Sequence, residues 1–170
     1  ISTTGHRFGH FGVFPLKPGD DIPFEDTTPK RLFADTRRIA PNAILQVNHP
    51  RWDDIGYFHR YKLDPKSARV PIQHSAEFDP SYDSIEIYNG YDASSLPKIR
   101  QVLMDWIRLL GQGKRYTATG NSDSHKLFYV DPGLPRNLVH WGNVATDAED
   151  WRASEAEIVA ALKRGRVQVT

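Results

Sequence analysis

The chain of 170 residues has no cysteine. That alone excludes disulfides, zinc ribbons and thiol catalysis, and leaves histidine and carboxylate as the ligands for any metal. Neither sign of charge is in excess: 22 lysines and arginines stand against 21 aspartates and glutamates, a net charge of +1. A nucleic-acid or polybasic membrane surface needs a clustered positive excess, so neither partner is expected. No apolar run approaches the ~20 residues with which a helix spans a bilayer. There is no internal repeat and no low-complexity segment. With 39% hydrophobic and 25% charged residues the composition is that of a folded protein, and the length suits one domain with a real core. The chain opens directly on ISTTGHRFGHFGVFPL and closes on GRVQVT, a strand in progress. The expectation is a single domain over residues 1–170, cut from a larger protein at both ends.

Punctuation and periodicity set out the elements. Phe8 to Leu16 reads as a buried strand, with His10 to Phe14 at its centre and Pro15 closing it. Thr28 caps a helix with Pro29 at its first position, Leu32, Phe33, Thr36 and Ile39 on one face, and Pro41 as its end. Ala43 to Val47 is an apolar strand running into Asn48-His49-Pro50-Arg51. Trp52 to Pro80, rich in aromatics, proline and charge, reads as a long loop with room for short elements. Ser84 to Tyr88 alternates as a strand. Ser95 to Gly111 is the strongest helix, with Ser95 as cap and Ile99, Val102, Leu103, Trp106, Ile107 and Leu110 at helical spacing. Arg115 to Thr119 and Asn137 to His140 read as strands. Ser154 and Glu157 form a capping box for a last helix, with Ile158, Val159 and Leu162 inward and Gly165 as its stop, before a strand from Arg166. This alternation predicts an α/β fold with a mostly parallel sheet, open or closed into a barrel, and ligands at the carboxyl ends of its strands.

The histidines are weighed by context. His59 and His74 sit in polar loop and read as ordinary surface residues. His140 lies in a strand beside Trp141 and reads as a packed structural histidine. His6 sits in a glycine-rich entry. His49 differs: it follows an apolar strand and precedes a proline that stiffens the backbone. It reads equally as a rigid ligand or as part of a polar turn. Asp123 and His125, in TGNSDSH, stand on alternate positions, which in an extended chain point to one side and reach one metal. The bland alternative is an Asx-type turn with an incidental histidine. A serine triad is disfavoured because no G-x-S-x-G elbow is present. Gly111-Gln-Gly113-Lys114 lies at a helix end, the wrong place for a phosphate cradle.

Together GHFGVFPL, VNHPR, SIEIYNG, TGNSDSH and PGLPRN, in this order and at about this spacing, resemble the polymerase-and-histidinol-phosphatase (PHP) superfamily. The resemblance is closest to its carbaryl-hydrolase-like metallohydrolase branch and covers most of residues 9 to 137, plus the closing helix and GRVQVT. It implies part of a distorted (β/α)7 barrel with two or three divalent ions, zinc, manganese or iron, at the carboxyl ends of the strands. His10, His49, Asp123 and His125 match the family's metal ligands. The family's leading His-x-His, an aspartate, a further histidine and its bridging glutamate have no counterpart here and are expected before Ile1. The implied activity is hydrolysis, most often of a phosphoester, by metal-bound hydroxide, since bound metal brings the pKa of water from about 16 towards ~7. The substrate is then a small anionic ester, with Arg51, Asn121 and Arg136 as the nearest groups to hold it. Both arginines read equally as members of structural ion pairs. Glu86 is placed inside the barrel, behind the ligands. A barrel-derived binding or regulatory module that does not catalyse is the alternative. Loss of the first barrel strands predicts self-association through an exposed edge.

Overall fold

A computed structural model describes residues 8–90, 93–125, 132–142 and 153–170. Strand β1 (Phe11–Phe14) is followed by helix α1 (Pro29–Ile39), β2 (Ile44–Val47), short helices α2 (Tyr57–Arg60) and α3 (Ile72–Ser75), and β3 (Ser84–Asn89). Then come α4 (Leu96–Gly111), β4 (Thr117–Asn121), β5 (Asn137–Val139), α5 (Glu155–Lys163) and β6 (Val167–Val169). The main sheet has the order β1-β2-β3-β4. β2, β3 and β4 run parallel, as the alternation of strands and helices predicts, but β1 is antiparallel to β2. The class is α/β with a mostly parallel sheet, and no closed barrel forms among the described residues.

Local signals place the helices. The Thr28 side chain accepts from the Arg31 amide, and Leu32, Phe33 and Thr36 are buried. Ser154 and Glu157 make both bonds of the capping box. The faces turn out differently from the periodicity. α4 buries Val102, Asp105 and Leu109 and leaves Ile107 45% exposed. Ser95 makes no capping bond. α5 buries only Ala161, and Ile158 is exposed. His140 is likewise exposed rather than packed. The stretch from Trp52 to Pro80 is more than a loop: Tyr57, Phe58, Tyr61 and Leu63 are buried, and Tyr57 meets Phe11 edge-on with ring centroids 5.2 Å apart.

The strand register sorts the sheet into two unlike faces. Phe11, Val47, Ile85 and Ala118 are direct partners across the four strands and share the apolar face. It is covered by the aromatic core of Phe33, Tyr57, Phe58 and Tyr82. Gln46, Ser84 and Thr117 share the other face, with Glu86 and Thr119 one step on. These five are polar and at most 6% exposed. Such burial is tolerable only when every group is bonded. Gln46 donates to Asn48 Oδ1 (2.9 Å) and accepts from Ser84 Oγ (3.3 Å) and Thr119 Oγ1 (2.9 Å). Beside β4, the Asn137 carboxamide makes a two-way pair with the Gly120 backbone at 2.9 and 2.7 Å. It thereby ties the antiparallel β5–β6 pair to the sheet.

Candidate functional site

Where β3 passes Glu86 its register against β4 slips. Glu86 pairs with Thr119, Tyr88 with Gly120 and Asn89 with Asn121, leaving Ile87 as an extra residue. Simple alternation along SIEIYN would put Asn89 on the apolar face with Ile85 and Ile87. The bulge turns it to the polar face, because Thr119 and Asn121 alternate normally on β4. Bulges that re-aim a side chain in this way are common beside functional sites.

Glu86 and Asn89 therefore meet at the carboxyl ends of β3 and β4. Glu86 is 3% exposed. It accepts from the His49 amide, from Asn89 Nδ2 (3.1 Å) and, on its other oxygen, from Asn121 Nδ2 (2.7 Å). Burial pushes its carboxyl up to about 7, against the opposing pull of these three donors, and the charge of Asp123 adds to the rise. Asn89 Nδ2 also reaches Asp123 Oδ2 (3.2 Å), so it bridges the two carboxylates.

His49 stands two residues past β2 with φ +27°, held by the turn in which its carbonyl accepts from the Trp52 amide (3.0 Å). The Pro50 carbonyl accepts from the amides of Phe58 and His59, which fastens this turn to α2. His10 precedes β1, and its carbonyl accepts from the Asn48 amide (3.0 Å). The two imidazoles meet with His10 Nδ1 3.0 Å from His49 Nε2 and their planes at 71°. At the end of β4, Asp123 takes φ +50°. The strand has already ended at Asn121, so Asp123 and His125 are not alternate positions of an extended segment. They meet through a local contact, His125 Nε2 to Asp123 Oδ1 at 2.8 Å, with the His125 side chain 80% exposed.

His10, His49, Asp123 and His125 all line one cleft of about 510 Å³. Phe11, Trp52 and Ile55 form its apolar wall. Two nitrogens 3.0 Å apart, each bonded to one ion at ~2.0–2.1 Å, would subtend about 95°, an angle suited to five- or six-coordinate zinc, manganese or iron. The donor chemistry of each pair thus fits half a coordination sphere. Among the described residues, however, no three histidine or carboxylate side chains gather at one point.

The three residues expected to hold substrate lie elsewhere, and none lines the cleft. Arg51, 7% exposed, makes a two-pronged pair with fully buried Asp105 at 2.6 and 2.9 Å. Asn121 is turned to Glu86. Arg136 is exposed, and its backbone pairs with that of Thr170 in both directions. His59 and His74 sit on α2 and α3, away from the cleft lining, and His6 lies outside the described residues. Asn89 and Trp52 escape the sequence reading. For Asn89 a signal existed: a lone carboxamide at an apolar-face position of an otherwise regular strand. Comparison of the chain with protein-family models, curated proteins and solved structures finds no match.

Proposed function

We propose that this chain is the site-bearing part of a metal-dependent hydrolase acting on small anionic esters, phosphoesters first. The observation that carries the reading is convergence. Residues selected from three separate segments, His10, His49 and the pair Asp123 and His125, line a single cleft. Glu86 and Asn89, on the polar face of a mostly parallel sheet, bond to residues that line it. The sheet would be one arc of a distorted (β/α)7 barrel, with the site at the carboxyl ends of the strands, where such folds carry their chemistry.

In this reading His10 and His49 hold one divalent ion, and Asp123 with His125 contributes to the same or a neighbouring one. Bound there, zinc, manganese or iron supplies Lewis acidity and makes water a competent nucleophile near neutral pH. The remaining tasks fall to the chain. Glu86 braces the His49 backbone, and Asn89 holds Asp123 against Glu86, so the ligands are set before any ion arrives. Trp52, Ile55 and Phe11 give the cleft an apolar wall that limits water beside the ion.

Metal analysis of the full-length protein, with a panel of phosphodiester, phosphomonoester and carboxylester substrates, tests this. Bound zinc, manganese or iron and measurable hydrolysis are expected, both falling at least about tenfold in His49→Ala and Asp123→Ala. Unchanged metal content and turnover in both variants would sink the reading. A wild-type protein that holds no metal and hydrolyses nothing would leave a non-catalytic binding or regulatory module in its place.

A further inference from the structure

A second cavity lies at the other end of the sheet, among residues that precede β3 and β4. Its volume is about 320 Å³. Leu63, Val70, Phe78, Tyr82, Leu109 and Tyr116 form its walls. Tyr82 and Tyr116 stack with ring centroids 4.3 Å apart and 28° between their planes. The Tyr116 hydroxyl is already used, donating to the Pro80 carbonyl at 2.7 Å. The cavity therefore offers a visitor apolar and aromatic surface.

Its mouth is different. Arg69, Gln112 and Lys114 line it, all three exposed. Lys114 is set there by the end of α4. Gly113, at φ +83°, donates to the Leu110 carbonyl (2.9 Å), and the Lys114 amide donates to Leu109 (3.1 Å). This is a Schellman turn, in which the residue after the glycine folds back over the last turn of the helix. The turn spends the backbone donors on the helix's own carbonyls, so an anion here is left to the side chains. The nearby acids are bonded elsewhere and form no ion pair with them. The Asp64 carboxylate accepts from the Lys66 and Ser67 amides and from Ser67 Oγ, and that of Asp79 accepts from the Ser81 amide. Among the described residues neither Arg69 nor Lys114 takes part in an ion pair. Gln112 Nε2 is fixed to the Ser67 carbonyl at 2.6 Å.

We propose that this cavity is a binding site for a small aromatic carboxylate. Its ring lies against Phe78 and the stacked tyrosines, and its carboxylate meets Arg69 and Lys114 at the mouth. The volume is at the lower end of the ~300–1,000 Å³ of ligand pockets, which suits a ligand of one or two fused rings. Offset or edge-on contact with aromatic walls favours a flat ring, and two cations outside any ion pair favour a single anionic head. The site does not share residues with the metal-ligand cleft and does not depend on the hydrolase reading.

The probes are 2-naphthoate and its neutral counterpart 2-naphthalenemethanol, titrated into the isotope-labelled chain and followed by amide NMR shifts. Naphthoate is expected to shift the amides of Tyr82, Leu109, Lys114 and Tyr116 saturably, and the alcohol to bind the same place about tenfold more weakly. In the double variant Arg69→Ala, Lys114→Ala, whose changes are both at exposed positions, naphthoate should fall to the level of the alcohol. Three outcomes would overturn the proposal: no saturable shift at millimolar naphthoate, shifts centred elsewhere, or unchanged naphthoate affinity in the double variant.

Discussion

Glu86 is a carboxylate with three hydrogen-bond donors and almost no water around it. An unperturbed glutamate titrates near 4.5, and burial moves this one to about 7. Between those values the folded chain binds more protons than the unfolded one, so stability falls as pH rises through that window. The full loss is on the order of 3 kcal/mol by linkage. Glu86→Gln has no charge to desolvate. In urea denaturation with a chelator present, the wild type is expected to lose stability relative to Glu86→Gln between pH 5 and pH 8. A difference between the two that stays constant with pH would show that Glu86 is not buried in this way. Arg51 illustrates the opposite treatment of charge at the same scale. Its guanidinium meets a partner that is also out of water, and removing either member would leave an uncompensated buried charge. That makes Arg51 a structural residue here and removes a cation from the cleft.

At the scale of elements, the turn after β2 decides whether His49 meets His10. Gly56 closes that turn, its amide donating to the Trp52 carbonyl at 2.7 Å. A β-carbon on Gly56 would collide with the Pro50 carbonyl and come within 2.5 Å of the Trp52 carbonyl and 2.6 Å of its amide nitrogen. These are backbone atoms, which do not swing aside as a side-chain end would. Gly56→Ala is therefore expected to cost about 3 kcal/mol, the upper part of the range for overpacking, measured by urea denaturation. An alanine variant of wild-type stability would mean that the loop from Pro50 to Gly56 is packed otherwise. The bulge at Ile87 acts on the same scale. One extra residue in β3 changes the face on which Asn89 stands, and with it the connection between Glu86 and Asp123.

Across the whole molecule burial is uneven, and stability should follow it. All four residues of β2 are buried, and most of β3 is. α5 buries Ala161 alone, and the paired strands β5 and β6 have no fully buried residue. Elements with few buried contacts open without global unfolding. Native-state hydrogen exchange is expected to find the slowest amides in β2 and β3, exchanging only on global unfolding. Those of α5 should exchange at least about tenfold faster through local opening. Amides of α5 as protected as those of β3 would contradict this distribution. The two cavities lie at opposite ends of these stable strands, so a rigid sheet separates two regions of different chemistry: histidine and carboxylate at one end, aromatic rings and cations at the other.

The sequence by itself determined what neighbours along the chain decide. Thr28 with Pro29, and Ser154 with Glu157, mark helix starts because a cap bonds to an amide only three residues away. The run of β2 was legible because its residues are nearly all apolar, and that of β3 because apolar residues recur at alternate positions. His49, Asp123 and His125 were legible as residues placed near strand ends and His10 through the family resemblance, and the four share a cleft. Tertiary structure alone decided the rest, because each remaining feature needs a partner far away in the chain. Helical spacing on α4 points to Ile107, but Asp105 is buried because Arg51 arrives from 54 positions earlier to neutralise it. β1 runs antiparallel to β2, and no local signal carries strand direction. Asn121 looked like a substrate clamp until Glu86 crossed from the adjacent strand to accept its amide. A buried charge or amide takes whatever partner the packing delivers, since leaving it unbonded costs more than almost any local preference.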